Sequence, residues 1–479
     1  VSSTRQEGTD VIEYTRTSSC TLHLHLVIMR SPRRRGEVNK EWVEYMLTEF
    51  ENRNSPGCEV TIKTWETSDG SKKGDGCIGD LLKLEVKATV KNNEKSIEKE
   101  YHHIIKFTSQ DPIEKEFMKT FGNATREFLM YSEILEKLND FQANLTNNKF
   151  PICIPTYVFG RHNDKEHVLV MENMNNVGYE NKSKFELLNI NEAKMALEQL
   201  ARLHAISYVY DKTCNIKENY PGFDAQHFLN MSTSNLDLKI DMAVEFLKFQ
   251  GEHKELINKI LSSKTQIIEK AKRAFIKRDK PQIFCINHGD PWNNNILIRK
   301  ANVSKSDIGV CLIDWEDVHW NTSAYDLHYF LAGAVTPELR VKHMDELLQF
   351  YHDHFTEVTN KLGSPIPNWN YNIFRDEYDA VSFWGLLESF GFCMEISEAS
   401  KDWEAVNHDP TTNPVLKSIK QVYGKILVSM FIKPSLMDMF IKQDFKKWVE
   451  PLSKEMKSGK NPGLNERYLS NILEGDIRG

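Results

Sequence analysis

The spacing of apolar residues in the first part of the chain predicts one helix followed by a meander of strands. Apolar side chains recur at helical spacing from Trp42 to Phe50, and Asn54-Ser-Pro-Gly is expected to end that helix. Beyond it, apolar and polar residues alternate, as they do in strands with one buried face. The three predicted strands cover residues 58–64, 81–90 and 101–107.

The pattern changes in the middle of the chain from strands to long helices. The predicted elements are a helix over 117–138, a strand pair over 156–160 and 167–172, and a helix over 195–210. A β-rich first part and an α-rich second part indicate an α+β protein of two lobes with a cleft between them. We expect a poorly ordered tail over 1–37, an N-lobe over 38–172 and a helical C-lobe over 173–479.

Composition narrows the range of partners. The chain has 479 residues, of which 40% are hydrophobic, and a formal net charge of −7 at pH 7. This charge argues against nucleic acid as a partner, because phosphate binding needs a basic face. The mean hydropathy is −0.50, and no apolar run approaches the roughly 18–20 residues of a membrane span. We therefore expect neither nucleic acid nor a membrane as a partner.

The eight cysteines are scattered along the chain. Since they form no CxxC pair and no close cluster with histidine, neither a zinc site nor a dense disulfide framework is indicated. Reduced thiols in a cytoplasmic protein are the simplest interpretation.

Two segments carry the residues that phosphoryl transfer requires. In Ile286-Asn-His-Gly-Asp-Pro-Trp-Asn-Asn-Asn, an apolar strand leads to Asp290 and then to Asn295. In Val310-Cys-Leu-Ile-Asp-Trp-Glu, Asp314 ends another short strand. Asp290 is predicted to accept or orient the substrate hydroxyl, while Asn295 and Asp314 hold Mg²⁺. A single Asp at a strand end is more often a turn former or a helix cap, but the three residues together favour kinase chemistry.

Three neighbouring residues are interpreted mainly as structural. His288 is expected to hold the loop by hydrogen bonds, and Asp326 to cap a helix or brace the loop. Trp292 either packs under the loop or touches substrate.

The nucleotide requires a cation and a hinge. Lys106 ends the third strand, where a kinase places the lysine that binds the α- and β-phosphates, and Glu127 on the next helix could pair with it. Each alone would more often be a surface residue. The loop 73–79 either covers phosphates or is a flexible hairpin, since it has no clean glycine motif. The predicted hinge offers backbone groups to the adenine of ATP and consists of Glu172, Asn173 and Met174.

These segments resemble the ecdysteroid-kinase-like (CHK-kinase-like) family within the choline kinase and aminoglycoside phosphotransferase group. The resemblance lies in Glu127-Phe-Leu-Met-Tyr, Leu200-Ala-Arg-Leu-His-Ala, His288-Gly-Asp-Pro-Trp-Asn-Asn-Asn, and Ile313-Asp-Trp with Asp326-Leu, over roughly residues 38–430. It implies a protein-kinase-like fold and ATP-dependent phosphorylation of a small-molecule alcohol, such as an ecdysteroid. The chain departs from the family pattern where Ile313-Asp-Trp-Glu replaces the more usual Asp-Phe-Gln.

Three other functions compete with that of a small-molecule kinase. A protein kinase would need Asp-Phe-Gly, Ala-Pro-Glu and His-Arg-Asp, none of which occurs here. A metal-dependent hydrolase would usually need more metal-binding side chains than these segments supply. A catalytically silent nucleotide- or ligand-binding protein on the same fold is the alternative to the enzyme. The acceptor should bind to the C-lobe, where Trp384, Phe390 and Phe392 either line a pocket or pack in the core.

Overall fold

The computed structural model describes the chain from residue 29 to residue 388, with gaps. The described residues are 29–70, 80–92, 95–109, 118–163, 166–183, 186–225, 240–241, 244, 254–274, 282–299, 309–382, 384–385 and 388. The predicted loop 73–79, and Phe390 and Phe392, lie outside them.

The N-lobe consists of a helix packed on an antiparallel sheet. The helix is α1 (Lys40–Asn54), and Asn39 caps it by accepting a hydrogen bond from the Trp42 backbone N–H. The strands are β1 (Cys58–Asp69), β2 (Asp80–Asn92), β3 (Lys95–Phe107), β4 (Tyr157–His162) and β5 (His167–Glu172). Their order is β1-β2-β3-β5-β4. The helix and five strands predicted from the apolar pattern are confirmed, most of the strands being longer than predicted.

Alternation along β2 explains how this sheet packs. Leu84, Val86 and Ala88 are buried, while Glu85 and Lys87 between them are exposed. The buried positions of β1 follow the same alternation, and α1 covers β1 with the apolar residues of one helix face. The burial of one face per strand is what fixes the register of the meander.

The segment between β3 and β4 differs from the single helix predicted over 117–138. It contains α2 (Asn123–Leu129), a π-helical turn (Met130–Ile134) and α3 (Leu135–Thr146). Gly122, with φ +72°, precedes α2. The π turn carries one extra residue, so the side chains on either side of it do not follow a single helical spacing.

The C-lobe is built around one long helix. This helix, α4 (Ile190–Cys214), begins at a capping box formed by Asn189 and Glu192. A three-stranded sheet contains β6 (Tyr179–Asn181), β8 (Ile296–Arg299) and β9 (Val310–Leu312), and a two-stranded sheet contains β7 (Phe284–Asn287) and β10 (His319–Thr322). The other helices are α5 (Ile216–Asn219), α6 (Lys254–Ala274), α7 (Ala324–Ala334), α8 (Pro337–Lys361) and α9 (Tyr371–Asp379).

The C-lobe core lies between α4 and α8, which pack against each other. Trp384 is buried at 4% exposure, and its ring lies edge-on to Tyr325 with centroids 5.9 Å apart. These surroundings favour core packing of Trp384 over a place in the lining of a pocket. The described residues contain no helix long and apolar enough to cross a membrane.

The end of the predicted tail is structured. Arg35–Glu37 form a 3-10 helix, and the Arg35 side chain donates to the Asp80 carboxylate at 2.9 Å and to the Leu81 carbonyl at 2.9 Å. The prediction of a poorly ordered tail over 1–37 is thus corrected for these residues, because an ion pair and a backbone contact hold them to β2. Residues 1–28 of that tail lie outside the described residues. Together the two lobes form a two-lobed α+β protein-kinase-like fold.

Candidate active site

Asp290 and Asn295 are placed by the turn between β7 and β8. Asp290 follows β7 after a short loop, and Asn295 ends a 3-10 helix (Asn293–Asn295) that leads directly into β8. The Asn295 amide nitrogen donates to the Asp290 backbone oxygen at 2.9 Å and to its carboxylate Oδ2 at 2.7 Å. Burial raises the pKa of Asp290 well above its ordinary value, and the nearby Asp317 carboxylate adds to the effect. The turn thus holds a half-buried carboxylate in a fixed orientation.

Asp314 lies next to Asn295 because β8 and β9 are paired. The Ile313 backbone N–H donates to the Asn295 carbonyl at 3.1 Å, so the backbone of Asn295 lies beside the residue that precedes Asp314. Asp314 has φ +68°, a conformation that non-glycine residues adopt rarely and that is concentrated at functional sites. Its backbone N–H points to the Tyr131 hydroxyl at 3.4 Å, in the π-helical turn.

Lys106 joins the two lobes at this point. Its ammonium lies 2.8 Å from Glu127 Oε1 and 2.6 Å from Asp314 Oδ1, so the ion pair predicted with Glu127 is present. Burial alone would lower the pKa of Lys106, but the Asp314 and Glu127 carboxylates raise it above its ordinary value. The ammonium therefore stays charged. Burial raises the pKa of Glu127 to about 7, although Lys106 opposes this.

Two further carboxylates, which the sequence analysis missed, complete the site. Glu316 Oε2 lies 3.6 Å from the Lys106 ammonium, and Asp317 accepts a hydrogen bond from the Asn123 side chain at 2.7 Å. Burial raises the pKa of both carboxyl groups. The signal that could have revealed them is the run Asp314-Trp-Glu-Asp, with three carboxylates in four positions after a buried strand.

Arg126 of α2 reaches the same loop. Its guanidinium Nε donates to the Glu316 carbonyl at 2.9 Å, and Nη2 lies 3.8 Å from Asp317. Arg126 and Lys106 are thus two described cations that the N-lobe supplies to this acidic loop. The carboxyl groups of Glu127, Asp290, Asp314, Glu316 and Asp317 outnumber these two cations.

The donor set fits a hard divalent cation such as Mg²⁺. Carboxylate oxygens of Glu127, Asp314 and Glu316 lie within 4.8 Å of one another. The Glu127 and Glu316 Oε2 atoms are buried without a hydrogen bond in the part of the chain that the structure describes. Carboxylate and amide oxygens are the ligands that Mg²⁺ takes in proteins. Of the predicted ligands, Asp314 belongs to this group of carboxylates, and the Asn295 backbone is bonded to Ile313, the residue before Asp314. Glu316 is a further candidate.

Asp326 braces the loop that carries Asp290. It lies in the first turn of α7 and accepts hydrogen bonds from the His288 N–H at 2.6 Å, the Gly289 N–H at 2.9 Å and His204 Nε2 at 3.0 Å. The His288 ring bonds to the Ile313 carbonyl at 3.0 Å and packs on Trp315. Both residues thus occupy the structural positions expected of them.

The predicted hinge follows β5. The Glu172 side chain accepts from the Thr156 hydroxyl at 2.7 Å, and the Asn173 N–H donates to the His102 carbonyl at 2.9 Å. Met174 is buried in a small cluster that also contains Ile313, the residue before Asp314. The predicted hinge therefore lies close to the acidic site. The roles of both in binding a nucleotide stay predictions.

Comparison with known proteins gives one family match. A model of the ecdysteroid kinase-like family matches residues 73–364. No curated protein matches the sequence.

Several solved structures are similar at low identity. The GDP complex of an aminoglycoside 2'-phosphotransferase variant is 11% identical, with 88% of this chain and 99% of that chain covered and a TM-score of 0.35. A choline/ethanolamine kinase family protein from Mesorhizobium loti is 10% identical, with 81% and 92% covered and a TM-score of 0.30. An aminoglycoside phosphotransferase from Streptomyces rimosus, bound to ADP and streptomycin, is 15% identical, with 63% and 90% covered and a TM-score of 0.31.

Proposed function

The chain belongs to the ecdysteroid kinase-like family, and we propose that it is an ATP- and Mg²⁺-dependent phosphotransferase that phosphorylates a hydroxyl group of a small molecule. One observation carries the proposal: Lys106, Asp290, Asn295 and Asp314, which come from three distant parts of the chain, meet in one acidic site. A binding protein would have no need of a cation held between two carboxylates beside an oriented aspartate.

Each residue has a separate role in this proposal. Lys106, held by Glu127, binds the nucleotide phosphates, and backbone groups of Glu172, Asn173 and Met174 bind the adenine. Asn295 and Asp314 hold Mg²⁺, with Glu316 adding a third oxygen ligand. Bound Mg²⁺ would supply charge neutralisation to the phosphates.

Asp290 acts on the acceptor. The hydrogen bond from Asn295 fixes its carboxylate, and its raised pKa increases its affinity for the proton that the hydroxyl releases. Most of the rate enhancement then comes from positioning and charge neutralisation, since the transferred phosphoryl group needs little covalent help.

The acceptor class is proposed from family membership. An ecdysteroid or a related alcohol is the first candidate, bound mainly by the C-lobe. The net charge of −7 argues against nucleic acid as substrate. Cys58, Cys153, Cys214, Cys285 and Cys311 are all free, which supports a location in the reducing cytoplasm.

The test is ATP consumption by the purified full chain with Mg²⁺, against a panel that includes ecdysteroids, choline and aminoglycosides. One acceptor should stimulate turnover, and Asp290→Asn should reduce it by roughly a hundredfold or more because the oriented base is lost. Asp140→Asn, an exposed aspartate on α3, is the matched control and should leave the rate unchanged.

Two results would contradict the proposal. Undiminished turnover by Asp290→Asn would remove this residue from the reaction. Nucleotide binding without turnover of any acceptor would favour a silent binding protein on the same fold.

A further inference from the structure

Two polar side chains of α2 bind the acidic loop, and the proposed reaction gives neither of them a role. Asn123 and Arg126 are 2% and 4% exposed. The Asn123 Nδ2 atom donates to Asp317 Oδ1 at 2.7 Å, and Arg126 Nη2 lies 3.8 Å from the same oxygen. Arg126 Nε also donates to the Glu316 carbonyl at 2.9 Å. Because buried polar groups cost free energy unless they are paired, these contacts favour the arrangement in which α2 and the loop stay together.

Asp317 also contacts the loop that carries Asp290. A Cβ at Gly289 would overlap the Asp317 carbonyl oxygen, so the two backbones approach more closely than a side chain at this position permits. Asp290 is the next residue along the chain. Asp317 is therefore held by the N-lobe through its carboxylate, while its backbone carbonyl packs against the loop of the C-lobe.

The same short helix holds the lysine that is expected to bind the phosphates. Glu127, the residue after Arg126, pairs with the Lys106 ammonium at 2.8 Å. Positions 123, 126 and 127 are spaced so that they share one face of a helix. The separation between Lys106 and the Asp290 loop is thus constrained by contacts of about one helical turn.

We propose that Asp317 is a positioning residue, which aligns the Asp290 loop with the bound nucleotide through Asn123 and Arg126. This inference rests on the proposed function, in which Lys106 binds the phosphates and Asp290 orients the acceptor. The two groups come from different lobes, and a misplacement of about 1 Å can lower a rate about a hundredfold. Asp317 has no contact with nucleotide or acceptor in this scheme, so it affects the rate only through the loop.

The first experiment measures amide hydrogen exchange of the full chain without ligands, by mass spectrometry. Asn123→Ala removes the hydrogen bond to Asp317 from the N-lobe side. We expect amides of the C-lobe peptide 286–296 to exchange about tenfold faster, because a bond to a charged acceptor no longer holds the loop. The amides of His288 and Gly289, which are bonded to Asp326, make this peptide a sensitive reporter. Amides of α4 and α8 should keep their rates.

A second contact between the lobes provides the matched control. The Lys149 ammonium pairs with Glu357 of α8 at 2.6 Å in an exposed ion pair. Lys149→Ala should leave the exchange of peptide 286–296 unchanged. Unchanged exchange of that peptide in Asn123→Ala would overturn the proposal. Equally faster exchange throughout α4 and α8 would overturn it too, because the contact would then only stabilise the fold.

The second experiment compares kcat with the affinity for ADP and Mg²⁺. Asp317→Ala should lower kcat about a hundredfold, with a much smaller loss of affinity, because Lys106, Asn295 and Asp314 are all kept. Asp317→Asn should recover most of the rate, since its amide oxygen still accepts from Asn123. Asn123→Ala combined with Asp317→Ala should be no slower than Asp317→Ala alone, because both changes remove the same contact.

The kinetic outcomes separate this inference from the proposed function. Equal losses of kcat and affinity in Asp317→Ala, or rate losses that add in the double variant, would overturn the positioning role. If Asp317→Ala fails to fold, Asn123→Ala gives the same comparison of kcat with affinity. Absence of turnover by the unmutated protein with every acceptor would refute the proposed function instead, while hydrogen exchange still decides whether α2 holds the Asp290 loop.

Discussion

Glu316 is the residue whose role the structure changes most. The residue is 8% exposed, and its Oε2 atom has no hydrogen bond within the described segments. A carboxylate oxygen of Glu316 lies within 4.8 Å of carboxylate oxygens of Glu127 and Asp314. Burial, and then the neighbouring Asp314 carboxylate, raise the pKa of Glu316. A divalent cation would stabilise a buried carboxylate in this position, because Lys106 is already shared with two other carboxylates.

We therefore predict that Glu316→Gln raises the Mg²⁺ concentration that half-saturates ATP turnover by about tenfold. The amide keeps the shape of the side chain and removes its charge, so the maximal rate at saturating Mg²⁺ should change less than the Mg²⁺ requirement. Initial rates across a Mg²⁺ titration measure both quantities. Glu59→Gln, an exposed glutamate of β1, is the control, and an unchanged titration for Glu316→Gln would assign Glu316 to charge balance with Lys106 alone.

Local order in the sequence accounts for part of the site. Asp290 follows β7, Asn295 directly precedes β8 and Asp314 follows β9, and the pairing of β8 with β9 brings the ends of these two strands together. By contrast, Arg126 reaches the Glu316 carbonyl across 190 positions and Asn123 reaches Asp317 across 194. Contacts of that range depend on how the lobes meet, which periodicity and spacing do not encode.

At the scale of elements, the N-terminal turn of α7 supports the Asp290 loop through Asp326. This carboxylate is 1% exposed and accepts three hydrogen bonds. Burial opposes its ionisation, but the hydrogen bond from His204 and the nearby histidines lower the pKa of Asp326 below its ordinary value. The ionised form is therefore the one that the fold stabilises.

Asp326→Asn should destabilise the protein by about 3 kcal/mol at neutral pH, since it leaves buried donors badly paired. The difference from the unmutated protein should be fully present above the ordinary Asp pKa and should disappear as the pH falls through the lowered folded pKa, because the folded carboxylate is then protonated as well. Urea unfolding at a series of pH values measures this difference. A constant difference across the acid range would show that ionisation of Asp326 contributes nothing.

Two glycines test how tightly the same loop is packed. Gly289 and Gly57 both have positive φ, +87° and +89°. A Cβ at Gly289 would overlap the Asp317 carbonyl oxygen, whereas a Cβ at Gly57 would meet nothing within 4 Å. Both substitutions by alanine carry the strain of the left-handed backbone, about 1–2 kcal/mol, and only the first adds a backbone clash.

We predict that Gly57→Ala lowers stability by about that strain and leaves ATP turnover intact. Gly289→Ala should cost more stability and should also abolish turnover, because the loop that holds Asp290 must move away from Asp317. Thermal unfolding and initial rates of the two variants measure this. If both variants lost the same stability and kept the same ATP turnover, the backbone segments of Gly289 and Asp317 would be able to move apart at little cost in free energy.

The π-helical turn marks the limit of sequence prediction at this scale. Apolar spacing correctly predicted helix around Glu127 and Leu138, but it predicted one uninterrupted helix. The extra residue of Met130–Ile134 places Tyr131 against the Asp314 N–H, and that contact lies 183 positions away in the sequence. A local pattern could not reveal this contact, because its partner is distant in the sequence.

At the scale of the whole molecule, the lobes are joined through the candidate site itself. Lys106 of β3 and Arg126 of α2 bind the loop that follows β9, so the acidic residues contact both lobes. A nucleotide bound at this place would contact both lobes as well. Ligand binding should therefore stabilise the whole protein and not one lobe.

The last prediction concerns this coupling. ADP with Mg²⁺ at about 100 times its dissociation constant should stabilise the unmutated protein by about 2.7 kcal/mol, seen as a rise in the temperature of thermal unfolding. Asp314→Asn should lose most of that rise, because the cation loses a ligand, and Lys106→Ala should lose it because the phosphates lose their ammonium.

Lys87→Ala, an exposed lysine on β2 that pairs with Glu100, is the control and should keep the full rise. Chelation of Mg²⁺ by EDTA should reduce the rise in the unmutated protein. An equal rise in Asp314→Asn would contradict the proposed place of the nucleotide, since Asp314 is the carboxylate proposed to hold its cation beside Lys106.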